Sequence, residues 1–190
     1  MRVKGTLVLD YARIIRATKD RNWDKYLKPE DWDIINSKVL PSNWYPYDFL
    51  RRAAWATFQE VGQGDLEVAR SFGRFTLQNM LKVYKTLVVP GNPAASVEKL
   101  ASLRRNFFEG GIGTEIPGKG PDWLTYRIPR PGQGEDMEEF KAFSYQLAGN
   151  IEELAKQAGA RDLKVEFDIK EEGADITLKW SDVKGQHGSP

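Results

Sequence analysis

The sequence predicts an α+β protein, in which a helical N-terminal lobe is followed by a long helix packed on a small antiparallel sheet. Two observations support this prediction. Apolar residues recur at steps of three and four through most of residues 1–110 and again over residues 135–158, as on one face of an amphipathic helix. Residues 163–180 instead alternate apolar and polar positions around Gly173, as the two strands of a β-hairpin do.

The helical lobe is predicted to contain one short strand and five helices. In chain order these are a strand at 2–8 and helices at 9–19, 30–39, about 46–61, about 65–87 and 93 to about 109. Pro29, Pro46 and Pro93 suit a first helical turn, where the missing N–H would have no partner in any case. Asp65 can cap the fourth of these helices through its carboxylate. The expected result is a bundle of short amphipathic helices.

The second lobe is predicted from a change in composition. Residues 110–136 hold most of the Gly and Pro and surround a strand pattern, "WLTYRI", at 123–128. The longest helix follows at 135–158, and Gly159 should end it. We therefore expect one α+β domain over residues 1–180, with a helical lobe of about 1–110, a helix-plus-sheet lobe of about 111–180, and a disordered tail at 181–190.

The composition argues against several classes of function. The 28 Lys and Arg residues balance 27 Asp and Glu, for a net charge of +1, so no overall field attracts nucleic acid or an anionic membrane. There is no cysteine, and the single histidine, His187, lies in the predicted tail. We therefore expect no catalytic residue and no metal or cofactor, neither haem nor zinc. No stretch approaches the roughly 18 apolar residues of a membrane span, and a cytoplasmic location is expected.

One segment is a near match to a phosphate-binding loop. The segment "GTEIPGKG" (113–120) has the glycines and Lys119 of that motif, but Gly120 stands where a hydroxyl is required. Pro121 then leads into a predicted strand, whereas the motif should enter a helix. We interpret the segment as a flexible loop.

Charged pairs on the predicted helices favour solvent-facing roles. The arginine pairs at 51–52 and 104–105 lie on helices that need a polar face, and no run gathers enough cations for nucleic-acid binding. The acidic pair at 152–153 is likewise expected on a solvated helix face, because chance alone brings together some of 27 acidic residues.

The aromatic residues leave a choice between core and ligand pocket. Aromatic side chains at helical spacing more often fill interiors, but apolar and aromatic residues also line binding cavities. Gly73, inside a predicted helix, needs either a close helix crossing or a ligand lying against it with Arg74 as the polar anchor. The candidate ligand-binding residues are Trp44, Tyr45, Phe49, Phe72, Gly73, Arg74, Tyr84 and Phe107. The corner at Trp44, Tyr45 and Pro46 is interpreted either as a fold joint or as a pocket wall.

An ordered set of segments resembles a known family. The segments are "VKGTLV", "NWYPYDFLRRAAW", "GDLEVARSFGRFT", "LKVYKTLV", "RRNFFEGG", "LAGNIEELAKQAGARDLKVEF" and "ITLKW". Together they span most of residues 3–180 and resemble an uncharacterised bacterial paralogous family that is distantly similar to haem-nitric-oxide-binding (H-NOX) domains and 4-vinyl reductase domains.

The resemblance implies a ligand cavity between the helices and the sheet. H-NOX domains hold haem iron through a helical histidine, which has no counterpart here, and contact the propionates through Tyr-x-Ser-x-Arg. Tyr126 and Arg130 have that spacing, but Ile128 replaces the serine. The 4-vinyl reductase domains that bind zinc use cysteines, and this chain has none.

These observations predict a non-enzymatic sensory or regulatory domain that binds a small apolar ligand in an aromatic-lined cavity. Two alternatives stay open. The first is a homodimerising interaction module without a ligand, and the second is an enzyme that uses carboxylate or Tyr and Arg chemistry. The expected partners are a small apolar ligand and another protein or a second copy of the chain, with no nucleic acid and no membrane span.

Overall fold

The computed structural model describes residues 1–110, 114–130 and 136–183 and confirms the α+β class. Its helices are α1 (Gly5–Ala17), α2 (Pro29–Asn36), α3 (Tyr47–Glu60), α4 (Leu66–Val83), α5 (Pro93–Arg105) and α6 (Met137–Gln157). Its strands are β1 (Arg2–Lys4), β2 (Trp44–Pro46), β3 (Glu115–Lys119), β4 (Trp123–Pro129), β5 (Ala160–Arg161), β6 (Lys164–Ile169), β7 (Gly173–Lys179) and β8 (Asp182–Val183). Short 3₁₀ turns lie at Trp23–Lys25 and Lys85–Leu87.

The main sheet is antiparallel, in the order β3-β4-β7-β6. Strands β6 and β7 form the predicted hairpin, with Val165 opposite Leu178 and Phe167 opposite Ile176. Leu178 and Ile176 are fully buried in the cluster that also contains the inner face of α6. Charged residues alternate with the apolar ones on β6, and charges on an edge strand oppose pairing with other chains. The sheet thus presents one apolar face to the longest helix.

The N-terminus differs from the prediction, because the helix begins at Gly5 and the strand of residues 2–8 is only three residues long. β1 pairs with β2 on one side, and on the other the N–H of Lys4 donates to the carbonyl of Phe107 at 2.9 Å. A side chain at Gly5 would overlap the carbonyl of Leu40, so the chain can turn into α1 there only without a Cβ. The buried positions of α1 continue at helical spacing from Gly5 to Ile15.

The predicted loop at 113–120 is also wrong over most of its length. Residues 115–119 form β3, the edge strand that pairs with β4, and Lys119 Nζ donates to Glu98 Oε1 at 2.6 Å. Gly118 and Gly120 lie against the ring of Trp123, where an added Cβ would collide with the indole. The two glycines therefore leave the space in which the indole of Trp123 packs.

The core is divided between two hydrophobic clusters. One lies in the helical lobe and contains Val3, Ile15, Ile35 and Phe49, together with other residues of β1 and α1 to α3. The other joins α4, α5 and α6 to the sheet. Partly buried Met80, Tyr84 and Leu103 pack against both clusters. The first lobe comprises β1, β2 and α1 to α3 around one cluster, and the second lobe comprises α4 to α6 with the main sheet around the other. The boundary between these two lobes is lined by side chains that pack against both clusters.

An arginine fork links two helices of the first lobe. Arg52 on α3 donates through Nε and Nη2 to the two oxygens of Asp31 on α2, both at 2.7 Å. Burial of Asp31 opposes its ionisation, but the bonds from Arg52 and from the backbone N–H of Lys28 outweigh it and lower the pKa of the carboxyl. The arginine pair at 51–52 was predicted to face solvent, but Arg52 instead fixes α2 against α3.

Helices α4 and α6 cross at two glycines. A Cβ at Gly73 would overlap the carbonyl oxygen of Gln146, and a Cβ at Gly149 would overlap that of Arg70. Asn150 Nδ2 donates to the carbonyl of Gly73 at 2.6 Å. Gly73 thus has the close-crossing environment that was one of its two predicted explanations.

Helix and strand ends follow the predicted caps with small shifts. Asp65 Oδ1 accepts from the N–H of Glu67 at 2.8 Å, which confirms the cap of α4. α4 ends at Val83, four residues before the predicted end, and a 3₁₀ turn follows it. Of the predicted tail, residues 182–183 form β8, which pairs with β5, whereas residues 184–190 lie outside the described residues. Within the described part of the chain, no helix combines the length and apolarity needed to cross a membrane.

Candidate functional site

A pocket of about 540 Å³ lies along the boundary between the two lobes. α1 and α3 line it on one side, α4 lines it on the other, and residues of α5 and α6 complete it. Its surface is mainly apolar and includes Leu9, Trp55, Phe72, Met80 and Phe143. A mostly apolar cavity of this size with a few polar groups is typical of a small-molecule site.

The pocket follows the full length of one face of α4. The lining positions begin at Val68 and Phe72, continue through Thr76 and Met80, and end at Val83. This spacing of three or four residues keeps the lining positions on one side of α4. At a rise of 1.5 Å per residue, Val68 and Val83 are about 22 Å apart along the helix axis. Val68 is 41% exposed and Val83 is 72% exposed, so apolar surface reaches solvent along this helix. The pocket therefore has an apolar mouth.

Most charged side chains of the pocket have partners. Asp10 lies 3.5 Å from Arg13, and Glu139 accepts from Arg51 at 2.6 Å. Tyr11 donates its hydroxyl to Gln146 Oε1 at 2.5 Å, a bond that joins α1 to α6. Burial raises the pKa of this phenol, so it remains a neutral donor. These bonds hold the walls of the pocket and leave little free hydrogen-bonding capacity at those sites.

Arg104 is the exception. Its side chain lies on the pocket wall, yet the residue is only 6% exposed. The guanidinium carbon stands 5.6 Å from the ring centroids of both Phe108 and Phe143, which is within the range of cation–π contacts. Its Nε is buried without a hydrogen-bond partner, and no acidic side chain of the described residues forms an ion pair with it. Two aromatic faces among the described residues therefore contact this buried cation.

The predicted ligand-binding residues are divided by the fold. Phe72 and Tyr84 line the pocket. The other predicted residues lie away from it, and they are Trp44, Tyr45, Phe49, Gly73, Arg74 and Phe107. A ligand role for any of the eight remains a prediction, since no contact with a ligand tests it.

Those residues outside the pocket have structural contacts. Phe49 is fully buried in the helical lobe, and Arg74 Nη1 donates to Glu152 on α6 at 2.7 Å. Trp44 is 38% exposed, with the Lys4 ammonium 4.0 Å from a ring centroid. The Tyr45 hydroxyl accepts from the N–H of Leu40 at 2.9 Å. The Trp-Tyr-Pro corner forms β2 and the entry to α3, which makes it a joint between elements.

Two helical charge patterns were misread from the sequence. The sequence supported two interpretations of Arg104. It lies with Val97 and Leu100 on the stripe that faces inward or along the edge of α5, but it was also paired with Arg105 on a helix that needs a polar face. The structure buries Arg104, which agrees with the stripe and not with the polar face. Glu152 and Glu153 were expected to be solvated, but Glu152 accepts from Arg70 and Arg74, and Glu153 is 3% exposed and accepts from Gln78 and Gln157.

Comparisons with known proteins decide the fold. No protein-family model matches the chain, and no curated protein matches it. Solved structures do match over nearly the whole length. A mutant H-NOX protein from S. oneidensis in the Fe(II) ligation state has a TM-score of 0.67 at 11% identity, with 97% of this chain and 100% of that chain covered. The chain has an H-NOX fold.

Two further structures agree with that assignment. An oxygen-binding H-NOX domain related to soluble guanylate cyclases, solved as its oxygen complex, has a TM-score of 0.61 at 14% identity, with 98% and 100% of the two chains covered. A protein studied for modulation of haem redox potential through porphyrin distortion has a TM-score of 0.60 at 15% identity, with 93% and 99% covered. The distant H-NOX resemblance inferred from the sequence segments is therefore confirmed at the level of the fold.

The same structures correct the prediction that this protein takes no cofactor. They include an H-NOX protein in the Fe(II) ligation state and a protein studied for the redox potential of its haem. The prediction was based on missing His and Cys, but Met and Tyr side chains also hold haem iron in some protein classes. Met80 and Tyr84 both line the pocket. The absence of two ligand types was therefore too weak a basis for the prediction.

The residues of the pocket fit a haem in their chemistry. An apolar pocket suits the porphyrin body, Met80 and Tyr84 supply atoms of the kinds that ligate iron, and the unpaired guanidinium of Arg104 suits a propionate. A bound haem would supply an iron atom for gas binding. Among the described residues, no three His, Cys, Asp or Glu side chains come together as a separate metal site.

Proposed function

We propose that this protein is a non-enzymatic sensory or regulatory domain that binds a small, largely apolar molecule in the pocket between its two lobes. The observation that supports the proposal most directly is the mainly apolar pocket of about 540 Å³ in a chain with the H-NOX fold. Phe72 and Tyr84, two of the residues predicted from the sequence, belong to the proposed site.

The position of the pocket supports a sensory role. It lies where the two hydrophobic clusters meet, and Met80 and Tyr84 contact both clusters. The Tyr11–Gln146 hydrogen bond spans the same boundary from α1 to α6. A ligand that enters the pocket changes the contacts between the lobes, and a difference in affinity between two lobe arrangements is what shifts their populations. A regulatory partner would detect that shift.

The chemistry of the pocket supports binding more than catalysis. Its acidic residues Asp10 and Glu139 are paired with Arg13 and Arg51, and the buried Tyr11 phenol is held neutral and hydrogen-bonded. A general acid or base needs a titratable group that can exchange a proton near neutral pH. The pocket instead supplies an apolar surface with fixed polar contacts.

Native mass spectrometry together with titration by Nile red, a neutral apolar dye, would test the proposal. We expect a bound small molecule in the mass spectrum or saturable dye binding at one site. Ala54→Phe adds bulk at a lining position of α3 and should weaken dye binding at least about tenfold, because an overfilled cavity must repack. Ala17→Phe, at an exposed position of α1, is the matched control and should bind the dye normally. Equal binding by both variants would contradict the proposed site.

Self-association is a second candidate that a specific surface feature favours. Phe75 is 49% exposed on α4, the same helix that exposes Val68 and Val83. Apolar side chains exposed along one helix suit contact with a second copy of the chain. A native mass at twice that of the monomer, without an adduct and with no dye binding, would favour this candidate over the ligand site.

A further inference from the structure

We infer that the molecule bound in the pocket carries a carboxylate, and that Arg104 is the residue that binds it. The inference rests on the proposed function and specifies its ligand class as an apolar body with one anionic head group. The juxtaposition that supports it is an unpaired, buried guanidinium on the wall of an apolar cavity.

The burial of Arg104 is unfavourable unless something compensates its charge. Removing a guanidinium from water is costly in the absence of an anion and further hydrogen bonds. Two aromatic faces, those of Phe108 and Phe143, provide a partial compensation. They cannot accept the planar N–H bonds of the guanidinium as a carboxylate does, and Nε has no acceptor. The site therefore lacks an anion of the kind that a ligand can supply.

No acid of the pocket is available for that role. Asp10 is engaged by Arg13 and Asn79, and Glu139 is engaged by Arg51. The cations on the pocket wall are Arg13, Arg51, Lys82 and Arg104, against the two acids Asp10 and Glu139. The surplus of positive charge in a mainly apolar cavity favours an amphipathic anion over a neutral molecule.

The neighbouring arginine provides an internal contrast. Arg105 follows on the same helix but is exposed, and it contacts the carbonyl of Thr114 at 3.4 Å. Arg104 turns inward because it continues the buried side of α5 after Val97 and Leu100. An arginine at a buried helical position, where an apolar residue would pack at lower cost, indicates a function for its charge.

Two kinds of molecule share the required chemistry, a fatty-acid-like carboxylate and a haem propionate. The test therefore uses two matched pairs of probes at neutral pH. Dodecanoate is compared with dodecanol, and haem is compared with its dimethyl ester. Calorimetry follows the first pair and absorbance follows the second. We expect the acid of at least one pair to bind about tenfold or more tightly than its neutral counterpart, as hydrogen-bonded charge pairs do. The pair that shows this preference identifies the source of the carboxylate.

Arg104→Met should abolish the preference for the acid while leaving the neutral probe unchanged, because methionine preserves an apolar contact between the two phenylalanine rings. Arg104→Lys, which keeps the charge, should retain part of the preference. Arg105→Met removes the same charge outside the pocket and should leave the preference intact. Thermal unfolding checks the fold, and we expect Arg104→Met to unfold at or above the wild-type temperature, because it removes a buried charge without a partner.

The failures are distinguishable. If dodecanol and the haem ester each bind as tightly as their acids, the pocket function stands and the carboxylate inference is wrong. If none of the four probes binds to the wild-type protein, the proposed function fails and the inference fails with it. A preference for the acid that persists in Arg104→Met would assign the anion to another residue and likewise overturn the inference.

Discussion

The two faces of helix α4 differ in how closely they approach their neighbours. On one face, Gly73 lies against the backbone of α6, and Gly149 of α6 lies against the backbone of α4. On the other face, Phe72, Met80 and Val83 border a pocket that residues of α1 and α3 also line. Small residues let two helix backbones touch, whereas large side chains hold backbones apart and leave space where they do not interdigitate. Helix α4 therefore packs closely against α6 on one face and leaves a pocket toward α1 and α3 on the other.

Polar contacts reinforce the difference. At the closed face, Glu152 accepts from both Arg70 and Arg74, at 2.9 and 2.7 Å. At the open face, Asn79 reaches Asp10 only at 3.4 Å. The shorter charged contacts fix α4 to α6, and the longer ones leave the α1 side freer to adjust. We therefore expect stability to depend on the closed face and ligand binding to depend on the open one.

Gly149→Ala would break the closed face and should destabilise the protein strongly. The new Cβ would overlap the carbonyl oxygen of Arg70 and lie 3.0 Å from the backbone nitrogen of Arg74. Backbone atoms cannot move aside as a flexible side chain can, so the free energy of unfolding should fall by about 3 kcal/mol. Urea denaturation would measure this loss. The control Lys141→Ala, at an exposed site on the same helix, should change it by less than about 0.5 kcal/mol. Wild-type stability in Gly149→Ala would mean that the helices do not cross here.

Leu77→Ala and Phe72→Ala compare the two faces directly. Leu77 is fully buried in the cluster that α4 shares with α6, and its truncation should lower the free energy of unfolding by about 3 kcal/mol. Phe72 is half-buried and borders the pocket, so its truncation should cost about 1 kcal/mol, because less of its apolar surface is removed from water than in a core residue. Phe72→Ala should instead alter Nile red affinity. Equal losses of stability in the two variants would show that the pocket face is packed like the core.

Trp44→Ala should have the smallest effect, because the corner lies outside both faces. The indole is 38% exposed and its ring lies 4.0 Å from the Lys4 ammonium, so its loss should reduce the free energy of unfolding by about 1 kcal/mol or less. A core tryptophan would cost about 3–5 kcal/mol on truncation. Phe49→Ala, a few residues later and fully buried, provides that comparison. Thermal or urea unfolding of the two variants side by side would decide whether the corner is a surface joint.

Local patterns in the sequence predicted most of the fold. The alternation around Gly173, the apolar steps of α6 and the cap at Asp65 each depend on residues a few positions apart, and the structure has all three. The errors came where a distant contact outweighed the local pattern. Gly5 begins α1 against the carbonyl of Leu40, and the glycines at 118 and 120 leave room for the ring of Trp123. Neither constraint can be detected in the immediate neighbours of those glycines.

The sequence by itself determined the class of the fold, the order of α1 to α6 with the β6–β7 hairpin after them, and the surplus of aromatic residues, since helical and strand periodicities are local properties of the chain. Only the tertiary structure decided which aromatics form a pocket and which form the core. It also decided that Arg104 lies in that pocket with no acidic partner among the described residues, while Arg105 remains outside. The physical reason is that burial and charge pairing depend on residues far apart in the chain, which only the packing of the helices brings together.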